Sequence, residues 1–135
     1  MKQNFLLDTD TVSFFLKKDP SVAEKVMLAV QNESELGISI ITHYEILSGL
    51  KFKFSEKYLK SYSLFADSIY IYPVTEQSVQ ISSDLYSGLR KKGKPLDDID
   101  LLIAGTAIEN RSILVTGNLS HFRRIKGLKT ENWRE

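Results

Sequence analysis

The strongest constraint on the fold of this chain is an alternation. Short apolar runs, too brief for helices, are separated by stretches in which apolar residues recur at helical spacing. Asn4 to Leu7, Leu36 to Ile40, Ile69 to Tyr72 and Ile113 to Thr116 read as buried strands, with a candidate fifth between Leu128 and Trp133. Between them, Val12, Phe15 and Leu16 mark a first helix. The capping-box pattern Ser21-Val22-Ala23-Glu24 starts a second, whose core face is Val22, Val26 and Val30. Further helices are expected over Ile41 to Leu50, Ser55 to Ala66, Thr75 to Arg90 and Asp98 to Glu109, with a basic turn from Lys91 to Pro95. Strands alternating with helices require crossover connections, and right-handed crossovers produce a parallel sheet covered on both faces. The expected fold is therefore α/β, three-layered, with four to five parallel strands flanked by helices. Ligands in such folds gather at the carboxyl ends of the strands, where strand order reverses.

At 135 residues, one domain spanning 1–135 is expected. No run approaches membrane-spanning length and no cleavage-site pattern follows Phe5-Leu6-Leu7, so the expected compartment is the cytoplasm. With no cysteine, disulfides, thiolate zinc sites and cysteine nucleophiles are excluded, and oxygen-ligated metals become the natural cofactors. Eighteen Lys plus Arg against 17 Asp plus Glu give a net charge of +1, which does not by itself mark a nucleic-acid binder. Distribution says more. Basic residues gather in Lys51-Phe52-Lys53, Arg90-Lys91-Lys92-Gly93-Lys94 and Arg123-Arg124-Ile125-Lys126, while Asp97-Asp98-Ile99-Asp100 is acidic.

Three carboxylates stand at positions where charge needs a reason. Asp8 ends a buried strand, where it requires a metal, a partner or the amides of the next helix; Asp10, two residues on, reads as that helix's cap. Glu45 shares its helical face with Ser48 and Gly49, and the glycine keeps the backbone thin beside the acid. Of Asp97, Asp98 and Asp100, one suffices for capping, so Asp97 or Asp98 is assigned that role and Asp100, which begins an apolar helical run, is assigned metal binding. Three such oxygen donors suit Mg²⁺, which binds through a few carboxylates plus substrate phosphate.

Phe5-Leu6-Leu7-Asp8-Thr9-Asp10-Thr11 also has the form of the haloacid-dehalogenase phosphatase motif. On that alternative Asp8 is a covalent nucleophile, Lys94 neutralises the phosphoryl group, and Asp97 with Asp98 holds Mg²⁺. However, the acidic group here follows a basic turn and precedes an apolar helix instead of following a buried strand, and Glu45 has no role.

Taken together, Leu7-Asp8-Thr9-Asp10-Thr11-Val12-Ser13, Tyr44-Glu45-Ile46-Leu47-Ser48-Gly49, Asp100-Leu101-Leu102-Ile103-Ala104, Leu114 to Phe122 and Ile125 to Trp133 resemble the VapC-type PIN-domain ribonucleases, in order and across nearly the whole chain. The resemblance implies the toxin half of a type II toxin–antitoxin pair: an endoribonuclease using Mg²⁺ or Mn²⁺ on tRNA or another structured RNA, inhibited by a VapB-type antitoxin. It implies Asp8, Glu45 and Asp100 as metal ligands and catalytic residues, with Asp98 a candidate further ligand. Thr9, Ser13, Thr116 and Asn118 match positions that support the site or contact metal-bound water and phosphate, although capping and turn bonds explain them equally well. His121 stands where many relatives carry Asp or Glu; contact with the scissile phosphate and an ordinary surface position are both open.

Lys51, Lys53, Arg90, Lys91, Lys92 and Arg123 are the candidate phosphate-holding rim. Tyr58, Leu59, Tyr62 and Phe65 divide between core packing and, by resemblance, a groove that receives an amphipathic antitoxin segment. Homodimerisation, and a larger toxin–antitoxin assembly bound to DNA through the antitoxin, are likewise implied by the resemblance, and no membrane association is expected. A domain that binds RNA or protein without catalysis is the remaining alternative.

Overall fold

The computed structural model describes residues 2–134; Met1 and Glu135, the ends of the expected 1–135 domain, lie outside the described residues. Elements follow in the order β1 (Asn4–Leu7), α1 (Thr9–Leu16), α2 (Pro20–Gln31), β2 (Glu35–Ser39), α3 (Ile40–Phe52), α4 (Glu56–Asp67), β3 (Tyr70–Tyr72), α5 (Glu76–Lys91), α6 (Asp98–Glu109), β4 (Ile113–Val115), α7 (Leu119–Phe122) and β5 (Thr130–Glu131). The strands form one sheet in the order β3-β2-β1-β4-β5, with every neighbouring pair parallel. This is the three-layer α/β architecture expected from the alternation.

Because side chains alternate across a strand, β1 feeds two cores. Phe5 and Leu7 join Val12, Val22, Ile38, Ile46, Tyr62, Val115 and Trp133 on one face; Leu6 joins Leu89, Leu101, Ile103, Leu114 and Phe122 on the other. Leu6 and Leu7 are both fully buried, as a central parallel strand covered on both sides demands. β1 pairs with β2 on one flank and β4 on the other, so the chain's progression reverses at β1, and the crevice beyond the ends of β1 and β4 is the switch point.

Several boundaries differ from the sequence reading for local reasons. α2 is capped by Asp19, whose carboxylate accepts from the Ser21 and Val22 amides, with Pro20 in its first turn. Ser21, expected to be the cap, instead donates its hydroxyl to the Trp133 carbonyl at 2.6 Å. Val30, expected in the core, is 60% exposed, and Ala29 takes the buried position. β2 ends one residue early because the Ser39 hydroxyl accepts from the Thr42 amide and starts α3 at Ile40.

α5 lies against α6 with its start beside the end of α6. Thr75 donates to the Glu109 carboxylate at 2.5 Å, and Ser82 donates to the Leu101 carbonyl at 2.8 Å. Gly105 is what lets the two backbones close: a Cβ there would stand 2.0 Å from Ser82 Oγ and 2.7 Å from the Ser78 carbonyl oxygen. No helix among the described residues is long and apolar enough to cross a membrane.

Candidate active site

The site is built at the switch point. Asp8 leaves β1 with its amide donating to the Val115 carbonyl of β4, so the sheet's own ladder sets its backbone. Its carboxylate then accepts from the Thr11 amide at 2.9 Å and caps α1. The sequence reading gave that capping role to Asp10, but Asp10 is an exposed residue in the first turn. Asp8 itself is only 9% exposed, and burial pushes its carboxyl above the ordinary value, against the opposing pull of hydrogen bonds from Thr116 and Thr11.

Glu45 arrives from α3, the helix after the neighbouring strand. The Thr9 hydroxyl donates to Glu45 Oε1 at 2.5 Å and lies 3.3 Å from the Thr42 hydroxyl, tying the starts of α1 and α3 together. Asp100 arrives from the first turn of α6. Its carboxyl is raised, first by burial and next by the Asp97 carboxylate, with Asp8 and Glu45 adding to the repulsion and His121 alone opposing it. Three segments distant in sequence thus bring their acids within one another's electric field.

Asp97 occupies the cap position of α6 but makes no side-chain capping bond. It is the acid that bears most on Asp100, and sequence reasoning missed it. A spacing of three residues, which places two side chains on one helical face, is the signal that could have found it. Asp98 turns elsewhere and lines a groove with Val79, Ser82 and Tyr86 of α5.

The remaining expected positions fall into three places. Thr9 and Ser13 line an apolar groove of about 380 Å³ that opens from Glu45 and runs past Gly49 to Lys53 and Tyr58. Thr116 is fully buried beneath Asp8, and its hydroxyl accepts from the Asn118 amide at 3.0 Å. Asn118 Nδ2 lies 2.7 Å from His121 Nδ1, in a short helix, α7, that the sequence reading did not expect. Of the aromatic residues of α4, Tyr62 and Phe65 belong to the core and Tyr58 to the groove. Burial holds the Tyr62 hydroxyl up at about 12, and it sits 2.6 Å from His43 Nδ1. Of the expected rim residues, Lys53 lines the same groove as Glu45; separately, Arg124 binds the Pro95 carbonyl at 3.2 Å, joining the basic segment after α7 to the turn before α6.

Among the described residues, no three His, Asp or Glu side chains are close enough to close around one ion. The donor chemistry nevertheless fits a hard cation that keeps its own waters: the groups are carboxylates, two of them held above their ordinary range chiefly by burial, with Asp8 and Glu45 adding repulsion on Asp100. A divalent ion would relieve that repulsion, with water bridging the remaining distance.

A family model described as "PIN domain" matches residues 5–128. Over 131 residues the chain is 31% identical to a protein of Shigella flexneri named tRNA(fMet)-specific endonuclease VapC, covering 96% of this chain and 97% of that one. It is 28% identical, with the same coverage, to Ribonuclease VapC1 of Haemophilus influenzae strain R2866. The fold superposes on a chain in the crystal structure of DNA-bound VapBC from Salmonella typhimurium with a TM-score of 0.87 and 31% identity, over 98% of this chain and 99% of that one.

Proposed function

The chain belongs to the PIN-domain family, and from that premise we propose that it is a divalent-metal-dependent endoribonuclease of the VapC toxin type, restrained by a VapB-type antitoxin. The observation that carries the reading is that the Asp8 and Glu45 carboxylates, at the switch point of the sheet, both repel the half-buried Asp100 carboxyl, an arrangement that a cation relieves. In the phosphatase alternative Asp8 would be free to attack phosphorus; here its carboxylate is buried and engaged in capping α1. The convergence of the Asp8 and Glu45 charges on Asp100 also argues against a purely binding domain.

Asp8, Glu45 and Asp100 would hold Mg²⁺ or Mn²⁺. When bound, such an ion lowers the pKa of a water and stabilises charge on the leaving oxygen. The chain's own groups do the rest. Thr9 fixes the Glu45 carboxylate through its 2.5 Å hydrogen bond, and Thr116 steadies Asp8 and the Asn118 backbone. Asn118 Nδ2 lies 2.7 Å from His121 Nδ1, which leaves the ring's Nε2 as the nitrogen available to a phosphate oxygen. Ser13 borders the approach to Glu45. Asp97 adds negative charge beside Asp100 and raises the local demand for a cation. Asp98, facing the α5 side, is not assigned to the metal.

The substrate is proposed to be a structured RNA, with tRNA favoured by the likeness to the tRNA(fMet)-specific endonuclease VapC of Shigella flexneri. The basic rim of Lys51, Lys53, Arg90, Lys91, Lys92 and Arg123 would hold its phosphates around the negative centre. The apolar groove from Glu45 to Tyr58 is the proposed seat of the antitoxin, which would thereby reach the catalytic carboxylates. A homodimer, joined through its antitoxins to DNA, is the proposed assembly, in keeping with the DNA-bound Salmonella complex.

The test is incubation of purified protein with total RNA, with and without Mg²⁺, followed by mapping of new 5′ ends. Cleavage that needs the metal and disappears in Asp8→Asn is the expected result. Metal-independent cleavage, or full activity in that variant, would overturn the proposal.

A further inference from the structure

At the end of the sheet opposite the carboxylates, a groove of about 710 Å³ lies beside the starting ends of β1 and β4. Lys2 enters it from the segment before β1 and Asn4 from the start of β1, Arg111 and Ser112 from the turn after α6, and Gly127 and Lys129 from the turn before β5. Among the described residues that line it, three carry positive charge and none carries negative charge. Nor does any of the three cations form an ion pair: the ion pair found among the described residues joins Arg134 to Asp19. In a chain whose acids and bases nearly balance, this is a local excess of charge without an internal partner.

A second observation is independent of charge. Ser112 is only 6% exposed, and its hydroxyl is the one buried side-chain polar atom among the described residues that has no hydrogen-bond partner. Its backbone is already committed, with the amide donating to the Ala107 carbonyl. A buried hydroxyl without a hydrogen-bond partner and three cations without an ion-pair partner among the described residues, all in one groove, are suited to an anionic oxygen. The open side-chain face of Gly127, with nothing within 4 Å of a would-be Cβ, leaves space for it.

We propose that this groove binds a phosphodiester segment of RNA remote from the bond being cut. A single free phosphate would leave most of the 710 Å³ empty, whereas a nucleotide-sized length of strand matches it. Along β1 the groove lies about 13 Å from Asp8, taking roughly 3.3 Å per residue from Asn4, so one folded RNA can engage both ends of the sheet. The RNA identity of the ligand rests on the nuclease reading; the phosphate chemistry of the groove does not.

The experiment uses the full chain in EDTA, so that nothing is cleaved, and follows backbone amide shifts during separate titrations with a short unstructured RNA and with inorganic phosphate. RNA is expected to shift the amides of Arg111, Ser112, Ile113 and Lys129. Arg111→Glu combined with Lys129→Glu is expected to remove those shifts and weaken RNA binding about tenfold at low salt, with the salt slope flattening by roughly 0.7–0.9 per lost phosphate contact. Lys129→Glu alone guards against misfolding and should give part of the same loss. Ser112→Ala should lose affinity with no fall in Tm, since its hydroxyl has no partner to give up. If RNA leaves these amides unmoved, or if inorganic phosphate reproduces the shifts at the same concentration, the proposal is overturned. Metal-dependent cleavage by the wild-type chain is scored separately, so that binding here without cleavage sinks the nuclease reading alone.

Discussion

Asp8 is held in a place that disfavours its charge, and the sign of the consequence can be worked out. Its folded pKa lies above the ordinary 3.8, chiefly through burial, so between those two values the native state holds more proton than the unfolded chain. Its contribution to stability therefore falls as pH rises through that window and is recovered on acidification. Asn caps a helix as well as Asp does and carries no charge. In EDTA at pH 7, Asp8→Asn should melt above the wild type, and the gap should shrink as pH drops through the raised pKa. Asp19, shifted in the opposite direction, cancels in the comparison; Asp100 does not, because removing the Asp8 charge relieves part of its repulsion and widens the gap in the same sense. With Mg²⁺ at about 100 times its dissociation constant, the wild type should gain about 2.7 kcal/mol that the variant does not. A variant less stable than wild type in EDTA would show that Asp8 is not strained. Thr9 acts one step further out. Thr9→Val keeps the shape of the side chain but frees the Glu45 carboxylate, and should weaken metal affinity or cleavage about 10–100-fold with an unchanged melting curve. Equal metal affinity in a titration calorimeter would remove the positioning role.

At the scale of elements, α6 carries a catalytic candidate at its start and is located by its contact with α5. Gly105→Ala drives a methyl group into Ser82 Oγ and the Ser78 carbonyl, so the helices must part and the Ser82 bond to Leu101 is lost. Overpacking of this kind costs about 1–3 kcal/mol, to which the lost bond adds about 1. Urea denaturation should show a fall of that size, and Ser82→Ala in the same chain should restore only part of it, because the Ser78 backbone oxygen remains in the way. No loss of stability would mean that the helices are not in contact as described. The sequence alone made much of this level legible. The bounds of β1 and α6 follow from apolar runs flanked by carboxylates, and of the acids singled out, Asp8 and Glu45 both act on the Asp100 carboxyl. What it could not carry was set by tertiary partners. Ser21 looks like a cap until the Trp133 carbonyl takes its hydroxyl, and α7, four residues long, is too short for periodicity to mark. The repulsion of Asp97 on Asp100 was masked by an equally plausible capping role.

For the molecule as a whole, strand order is what unites the parts, and no local pattern announces it. Placing β1 between β2 and β4 brings Thr9, next to Asp8, against Glu45 on one flank and Asp8 against Thr116 on the other, and it also sets the starts of α1 and α3 side by side. The apolar groove opens from that junction, so whatever fills it abuts Thr9 and Glu45. Inhibition and catalysis are thereby expected to share an edge. Gly49 offers a way to separate them. It sits within α3, lines the groove, and has nothing within 4 Å of a would-be Cβ, so a side chain there starts in open space and extends into the groove. Leu in place of a helical Gly should stabilise the chain by about 0.8–1 kcal/mol while filling the antitoxin's proposed seat. Gly49→Leu is therefore expected to melt higher, to cleave RNA by itself, and to bind the antitoxin about tenfold or more weakly, which would make it toxic in cells where the wild type is silenced. Antitoxin affinity that is undiminished in a calorimetric titration would move the seat of the antitoxin away from this groove.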